Sequence, residues 1–198
     1  GGKSEARVLA IGAQLPAPLA AWCNAIMARV LEIDDCTDFR PIHPSASAVP
    51  ALMAIAGASG GVSGREYLTA LAVGQDIIIR LGLAVRVDAM ESGRYNLFKV
   101  FGPTAAVARA LGLGAEQTHN ALGLAYAFAC GEGQSAAEGA FSLPLQQGIV
   151  AQAAVTAALL ARKGSTGSKD FLFGRAGYFN AFEPDPDVEP LGDQIGEY

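Results

Sequence analysis

Three cysteines, Cys23, Cys36 and Cys130, are odd in number, widely spaced and without a C-x-x-C pair, so the chain encodes neither a paired zinc site nor a dithiol redox couple. That usage predicts a reducing, cytoplasmic setting. No cluster of lysine or arginine occurs, and 14 basic residues face 19 acidic ones for a formal charge of −5, which leaves nucleic-acid phosphates without a footprint. The acids are scattered too, so basic partners are not indicated. The longest strongly apolar run, 149–161, is interrupted by Gln152 and Thr156 and falls short of the roughly 18 residues that a membrane span needs. The first five residues, Gly-Gly-Lys-Ser-Glu, show no signal-peptide pattern and read as a cut end. No period-two strand pattern of any length and no repeat of 20 to 50 residues is visible. Gly131-Glu132-Gly133 and Gly139-Ala140 have no strand before them and no Gly-Lys-Ser after, which excludes a phosphate loop.

What is present is the material of one globular core, with 51% hydrophobic and 17% charged residues. Arg7 to Ile11 is a short apolar, extended-compatible run closed by Gly12. Pro16 and Pro18 open a helix to about Leu31, with Leu19, Trp22, Cys23, Ile26, Met27, Val30 and Leu31 on one face. Ala48 to Ala58 predicts a short helix. Ser63-Gly64-Arg65-Glu66 is a capping box that starts a helix to about Leu83, in which Gln75 and Asp76 require partners. Val85 to Val100 reads as loop. A helix from Pro103 to Leu111 stops at Gly112-Leu113-Gly114, and the next runs from Ala115 toward Ala129. Gly131 to Gly139 is polar and small, the pattern of a mobile segment. Leu145 to Arg162 is apolar nearly all round, which predicts a buried helix in tight crossings. The fold class is all-α, with short irregular segments and no substantial sheet.

Between two alanine-rich helices, 32–45 gathers Glu32, Asp34, Asp35, Cys36, Thr37, Asp38, Arg40, His43 and Ser45. Pro41 and Pro44 turn Arg40 and His43 away from helical dihedrals, which makes a loop whose side chains can converge on a ligand. Glu32, Asp34 and Asp35 follow a helix C-terminus, where carboxylates cost about 0.3–1 kcal/mol each. Such placement implies that they hold a loop or a ligand. Pairing with Arg40 or Arg29, simply to fix the loop, is the bland alternative, and a solvated histidine is the bland reading of His43.

Asp34-Asp35…His43-Pro44-Ser45-Ala46, Ser63-Gly64-Arg65-Glu66, Phe101-Gly102-Pro103, Leu111-Gly112-Leu113 with Glu116-Gln117, and Ala121-Leu122-Gly123 follow one another in the order and wording of a known family. Residues 157–164, Thr166-Gly167 and 174–178 extend the match. The sequence resembles the MmgE/PrpD family, whose members include 2-methylcitrate dehydratase, cis-aconitate decarboxylase and iminodisuccinate epimerase. The resemblance implies a large helical domain over 1–182, lacking helices before Gly1, and an acidic linker over 183–198 toward a C-terminal α/β domain. It implies cofactor-independent lyase or isomerase chemistry on small carboxylates, with no metal. The charge balance and the broken apolar run predict no nucleic acid and no membrane, and the apolar content of a lone helical domain predicts a homodimer joined through alanine-rich helices.

The family's pocket residues carry over one at a time. The motif's acid falls on Glu32 and its threonine on Thr37, or on Cys36 if no insertion intervenes; its His-Pro-Ser histidine is His43. A Gly-Phe-His motif lines up with Arg94-Tyr95-Asn96 and a Lys-x-x-His motif with Leu143-Pro144-Leu145-Gln146, so two imidazoles become amides and a lysine becomes leucine. The resemblance thus implies His43, Glu32 and Thr37 as catalytic residues and Asp34, Asp35, Asn96 and Gln146 as ligands of a small carboxylate or acyl substrate. A catalytically silent scaffold is the alternative that the departures favour, and the loops at His43, Asn96 and 143–146 should meet in one cleft.

Overall fold

The computed structural model describes residues 2–197; Gly1 and Tyr198, the outer ends of the cut-end and linker readings, lie outside the described residues. Helices dominate it. Strands β1 (Ala6–Arg7) and β2 (Gln14–Leu15) pair antiparallel as a two-residue hairpin, into which the apolar run beginning at Arg7 leads. Asn24 clamps that hairpin to the first helix: its side chain accepts from Leu9 N at 3.0 Å and donates to Arg7 O at 3.0 Å.

Helix α1 (Ala17–Arg29) begins after Pro16, and α2 (Pro44–Ala58) begins with Pro44 at its first turn, four residues earlier than alanine content alone predicts. Proline lacks only an amide that a first turn leaves unpaired anyway. Helix α3 (Gly64–Ala84) carries the expected capping box, Ser63 Oγ accepting from Glu66 N at 3.2 Å and Ser63 N donating to Glu66 Oε2 at 3.2 Å. The stretch 85–100, expected as loop, contains the short helix α4 (Ala89–Ser92) and a 3-10 turn, Leu97–Val100, which runs directly into α5 (Phe101–Ala110). Burial of Leu97, Phe98, Val100 and Phe101 overrides their weak local signal. Gly112, at φ +67, supplies the left-handed stop before α6 (Ala115–Tyr126). The segment with the mobile pattern contains α7 (Gln134–Glu138), followed by α8 (Ser142–Arg162) and α9 (Tyr178–Phe182).

Helix α8 is the axis of the bundle. Its alanines at 151, 153, 154, 157, 158 and 161 are buried against α1, α2, α5 and α6, so that surface is spent inside the chain. Both α3 and α8 are long and apolar enough to cross a membrane by length and composition, a threshold the broken run 149–161 does not suggest; two-thirds of the α8 window is buried in the bundle. Pro18 lines one groove with Thr156 and Leu159, while Trp22 and Ile26 press on Gly148. Helices α1 and α8 are therefore antiparallel. A Cβ on Gly148 would stand 2.7 Å from both Trp22 and Ile26, so glycine sets their spacing. The α3–α5 crossing is as close, with a Cβ on Gly102 falling 2.5 Å from Gly74 O.

The acidic segment after Glu183 has the composition of a loosely packed linker, and most of its side chains are exposed. Its backbone is nonetheless docked on α3. Arg80 donates to Pro190 O at 2.8 Å and Asp193 O at 2.6 Å, and Asp187 N donates to Ala84 O at 2.8 Å.

Candidate active site

Antiparallel packing brings the C-terminus of α1 to the N-terminus of α8, and Ser47 Oγ, donating to Gln147 Oε1 at 2.8 Å, draws the start of α2 to the same end. The 3-10 turn packs there too. Arg29, the 32–45 loop, Asn96, Lys99 and Gln146 thus converge from four places in the chain.

The loop resolves the dipole conflict read in the sequence. Asp35 is carried from the negative end of α1 to the positive end of α2, where its carboxylate accepts from Ser45 N at 3.2 and 3.3 Å and from Ser45 Oγ at 2.9 Å. A carboxylate at a helix N-terminus is stabilised by unpaired amides and by the dipole. Gln75, one of the polar pair in α3, donates to Ser45 Oγ at 2.7 Å; the other, Asp76, binds Arg80 at 2.8 Å.

His43 caps α2 and is half-buried. Its Nδ1 lies 2.9 Å from Asp35 O and 3.2 Å from Asp34 Oδ2. A carbonyl only accepts, so Nδ1 carries the hydrogen and Nε2 is left with its lone pair. The Asp34 carboxylate sits beside Nδ1 without hydrogen-bond alignment, as a charge rather than an acceptor. Burial and the neighbouring Arg29 guanidinium lower the His43 pKa from its ordinary 6.5, against the opposing pull of Asp34. Near neutral pH it is a neutral imidazole with a basic nitrogen.

Arg29 is the hinge of the acidic cluster: its guanidinium lies 3.5 Å from Asp34 and 3.3 Å from Glu32. Of the two arginines weighed as partners, Arg29 pairs with the acids. Arg40 instead holds the backbone, donating to Val85 O at 2.5 Å and Val87 O at 3.1 Å. Glu32 is largely exposed and in left-handed backbone, at φ +54. Thr37 Oγ1 donates to Arg40 O, closing the turn.

Both amides are engaged by the protein. Asn96, left-handed at φ +46, donates to Pro41 O at 3.1 Å and ties the 3-10 turn to the loop. Gln146 accepts from Glu132 N at 3.0 Å and donates to Glu132 O and Oε1 at 3.1 Å. Glu132 also accepts from Ser135 N at 2.9 Å, and hydrogen bonding to Ser135 holds its carboxyl below the usual range. Leu143 packs on Tyr95.

Sequence reasoning missed Lys99. It is buried, its ammonium stands 4.7 Å over the Tyr95 ring, and burial lowers its pKa to about 8. Its signal was a lone charge inside the apolar run Leu97-Phe98-Lys99-Val100-Phe101. A hollow of about 320 Å³, lined by Asp34, Asp35, Ser45, Ala46, Val49, Pro50 and Ala28, opens beside the loop. A larger cleft of about 460 Å³ lies elsewhere, between Leu81, Phe101, Leu122, Phe171 and Leu191; its one cation, Arg80, is engaged by Asp76 and two carbonyls, and its otherwise apolar walls do not suit a carboxylate. Among the described residues, no group of three or more His, Cys, Asp or Glu is placed to hold a metal ion.

Known proteins carry related sequence around these residues. A family model described as the MmgE/PrpD N-terminal domain matches residues 1–191. The cis-aconitate decarboxylase of Homo sapiens is 32% identical over 175 residues, 85% of this chain and 36% of that protein. The cis-aconitate decarboxylase of Aspergillus terreus is 29% identical over 173 residues, 84% of this chain and 35% of the relative. The cis-aconitate decarboxylase-like protein oryM of Aspergillus oryzae is 33% identical over 159 residues, 76% and 33% respectively. The chain spans about a third of the length of these relatives.

Proposed function

Because the chain belongs to the MmgE/PrpD family, we propose that it is the helical part of a cofactor-independent lyase or isomerase that removes a proton beside a carboxyl group of a small carboxylate. The observation that carries this reading is His43: Nδ1–H committed to Asp35 O, Nε2 unencumbered, and a pKa held below 6.5. A neutral imidazole so oriented is a general base, a role typically worth about 10² to 10⁴ in rate. Asp34 beside Nδ1 stabilises the imidazolium that forms, as an orienting carboxylate does.

Glu32, Thr37, Asn96 and Gln146 take supporting parts in this reading. Glu32 balances Arg29, Thr37 and Asn96 fix the loop that presents His43, and Gln146 fixes Glu132. Asp35 caps α2 and holds the His43 proton through its carbonyl. With His43 as the one imidazole of the loop and Asp34 and Asp35 committed to its Nδ1 side and to Ser45, proton abstraction and return, the core of an epimerisation, is better supported than a full elimination. Homodimerisation belongs to the same proposal; static light scattering at micromolar concentration tests it.

Deuterium uptake from D2O at the carbon beside a carboxyl group of 2-methylcitrate, followed by proton NMR, tests the base. Uptake should fall at least 100-fold in His43→Ala. Uptake indifferent to that substitution removes His43 from the role, and binding without any uptake supports the silent scaffold favoured by Asn96, Leu143 and Gln146.

A further inference from the structure

Buried polar groups in folded proteins almost always find partners, so a group of exceptions in one place demands a cause. Among the described residues, four buried side-chain nitrogen or oxygen atoms lack a hydrogen-bond partner: Arg29 Nε, Asp34 Oδ2, Arg40 Nε and Lys99 Nζ. All four belong to the region around His43, and three of the four are cationic donors. Lys99 is the clearest case because its head has no other polar contact. The acid within its electrostatic reach, Glu132, is committed to Ser135 and Gln146. The nearby Cys130 thiol is pushed up by burial and stays protonated at neutral pH. Arg29 acts on Lys99 as a second positive charge and stands by the hydroxyl of Tyr95, over whose ring Lys99 lies. Two like charges are thus held around one aromatic ring: Lys99 Nζ is unpartnered, and Arg29, paired with Glu32 and Asp34 through Nη1, keeps an unpartnered Nε.

We propose that Lys99 and Arg29 form the anion end of this site, receiving one carboxylate of the substrate while His43 faces the carbon that loses its proton. The inference rests on the reading of His43 as the base and adds the residue that sets specificity for a charged over an uncharged substrate. It also accounts for leucine at 143: the cation comes instead from the 3-10 turn, over the same Tyr95 against which Leu143 packs. The groups facing Lys99 are Tyr95 on its own element's approach, Arg29 from α1, and Cys130 and Glu132 from the segment before α7. None of these offers it an acceptor.

The test is calorimetric titration of the chain with tricarballylate, an unreactive tricarboxylate, from pH 6 to 9, using wild type, Lys99→Met and Lys99→Arg. Affinity should fall at least 10-fold in Lys99→Met at pH 6.5 and stay within about 3-fold in Lys99→Arg. Wild-type affinity should decline as pH rises through about 8, a decline that Lys99→Met abolishes. Equal affinity and an unchanged pH profile in Lys99→Met, or no binding by wild type, overturns the assignment. The two readings fail separately. His43-dependent deuterium uptake with Lys99-independent binding retires Lys99 alone, and Lys99-dependent binding without uptake retires the base while the anion end stands.

Discussion

Replacing Lys99 with methionine keeps the length of an apolar stem and removes a buried ammonium, so its effect on stability follows from the charge. Burial lowers the Lys99 pKa from 10.5 to about 8. At about 1.4 kcal/mol per unit, that depression corresponds to a penalty on the order of 3 kcal/mol for holding the ammonium inside the fold. Attraction to the Tyr95 ring offsets about 0.5–2 kcal/mol of it. Lys99→Met is therefore expected to stabilise the chain by about 2 kcal/mol at pH 7. Below pH 8 the lysine is charged in both the folded and unfolded states and the full penalty applies. Above pH 10.5 it is neutral in both and the penalty is gone. The gain from Lys99→Met should accordingly shrink between those values as the wild type recovers. Urea unfolding of both proteins at pH 7 and pH 10, followed by circular dichroism, reads this difference directly. A variant less stable than wild type at pH 7, or an equal difference at the two pH values, refutes the reasoning and makes Lys99 an ordinary structural cation.

Other expectations concern the site and its supports. Deuterium uptake should rise with pH through an inflection below 6.5, because His43 acts in its neutral form and its pKa is lowered by burial and Arg29; an inflection above 6.5 counts against the assignment. Dehydration of 2-methylcitrate and decarboxylation of cis-aconitate, assayed by chromatography of the products, should not proceed at an ordinary enzymatic rate, and Asn96→His with Leu143→Lys and Gln146→His should not restore them, since both amides are built into loop supports. Gly102→Ala puts a Cβ 2.5 Å from Gly74 O and should cost about 1–3 kcal/mol by forcing α3 and α5 apart, read as a lowered urea midpoint. Ser63→Ala removes the cap of α3 and should cost about 1 kcal/mol; no loss means that the box adds nothing to the packed helix.

Local grammar makes most of the helices legible in the sequence itself. Capping at Ser63, the Gly112 stop, the prolines opening α1 and α2 and the alanine pattern of α8 act within a few residues of themselves, so their outcome is written where they stand. The family resemblance, carried by motifs in order, points to the loop at His43 for the same reason. Long-range packing decided the rest. Antiparallel α1 and α8 bring Arg29 to Gln146, and the loop delivers Asp35 to a helix end that favours a carboxylate, inverting a local cost into a cap. A single charge in the run 97–101 becomes a buried, unpartnered ammonium only because α8, Tyr95 and the segment before α7 close around it. Desolvation depends on which distant surfaces meet, and the order of residues along the chain does not state it.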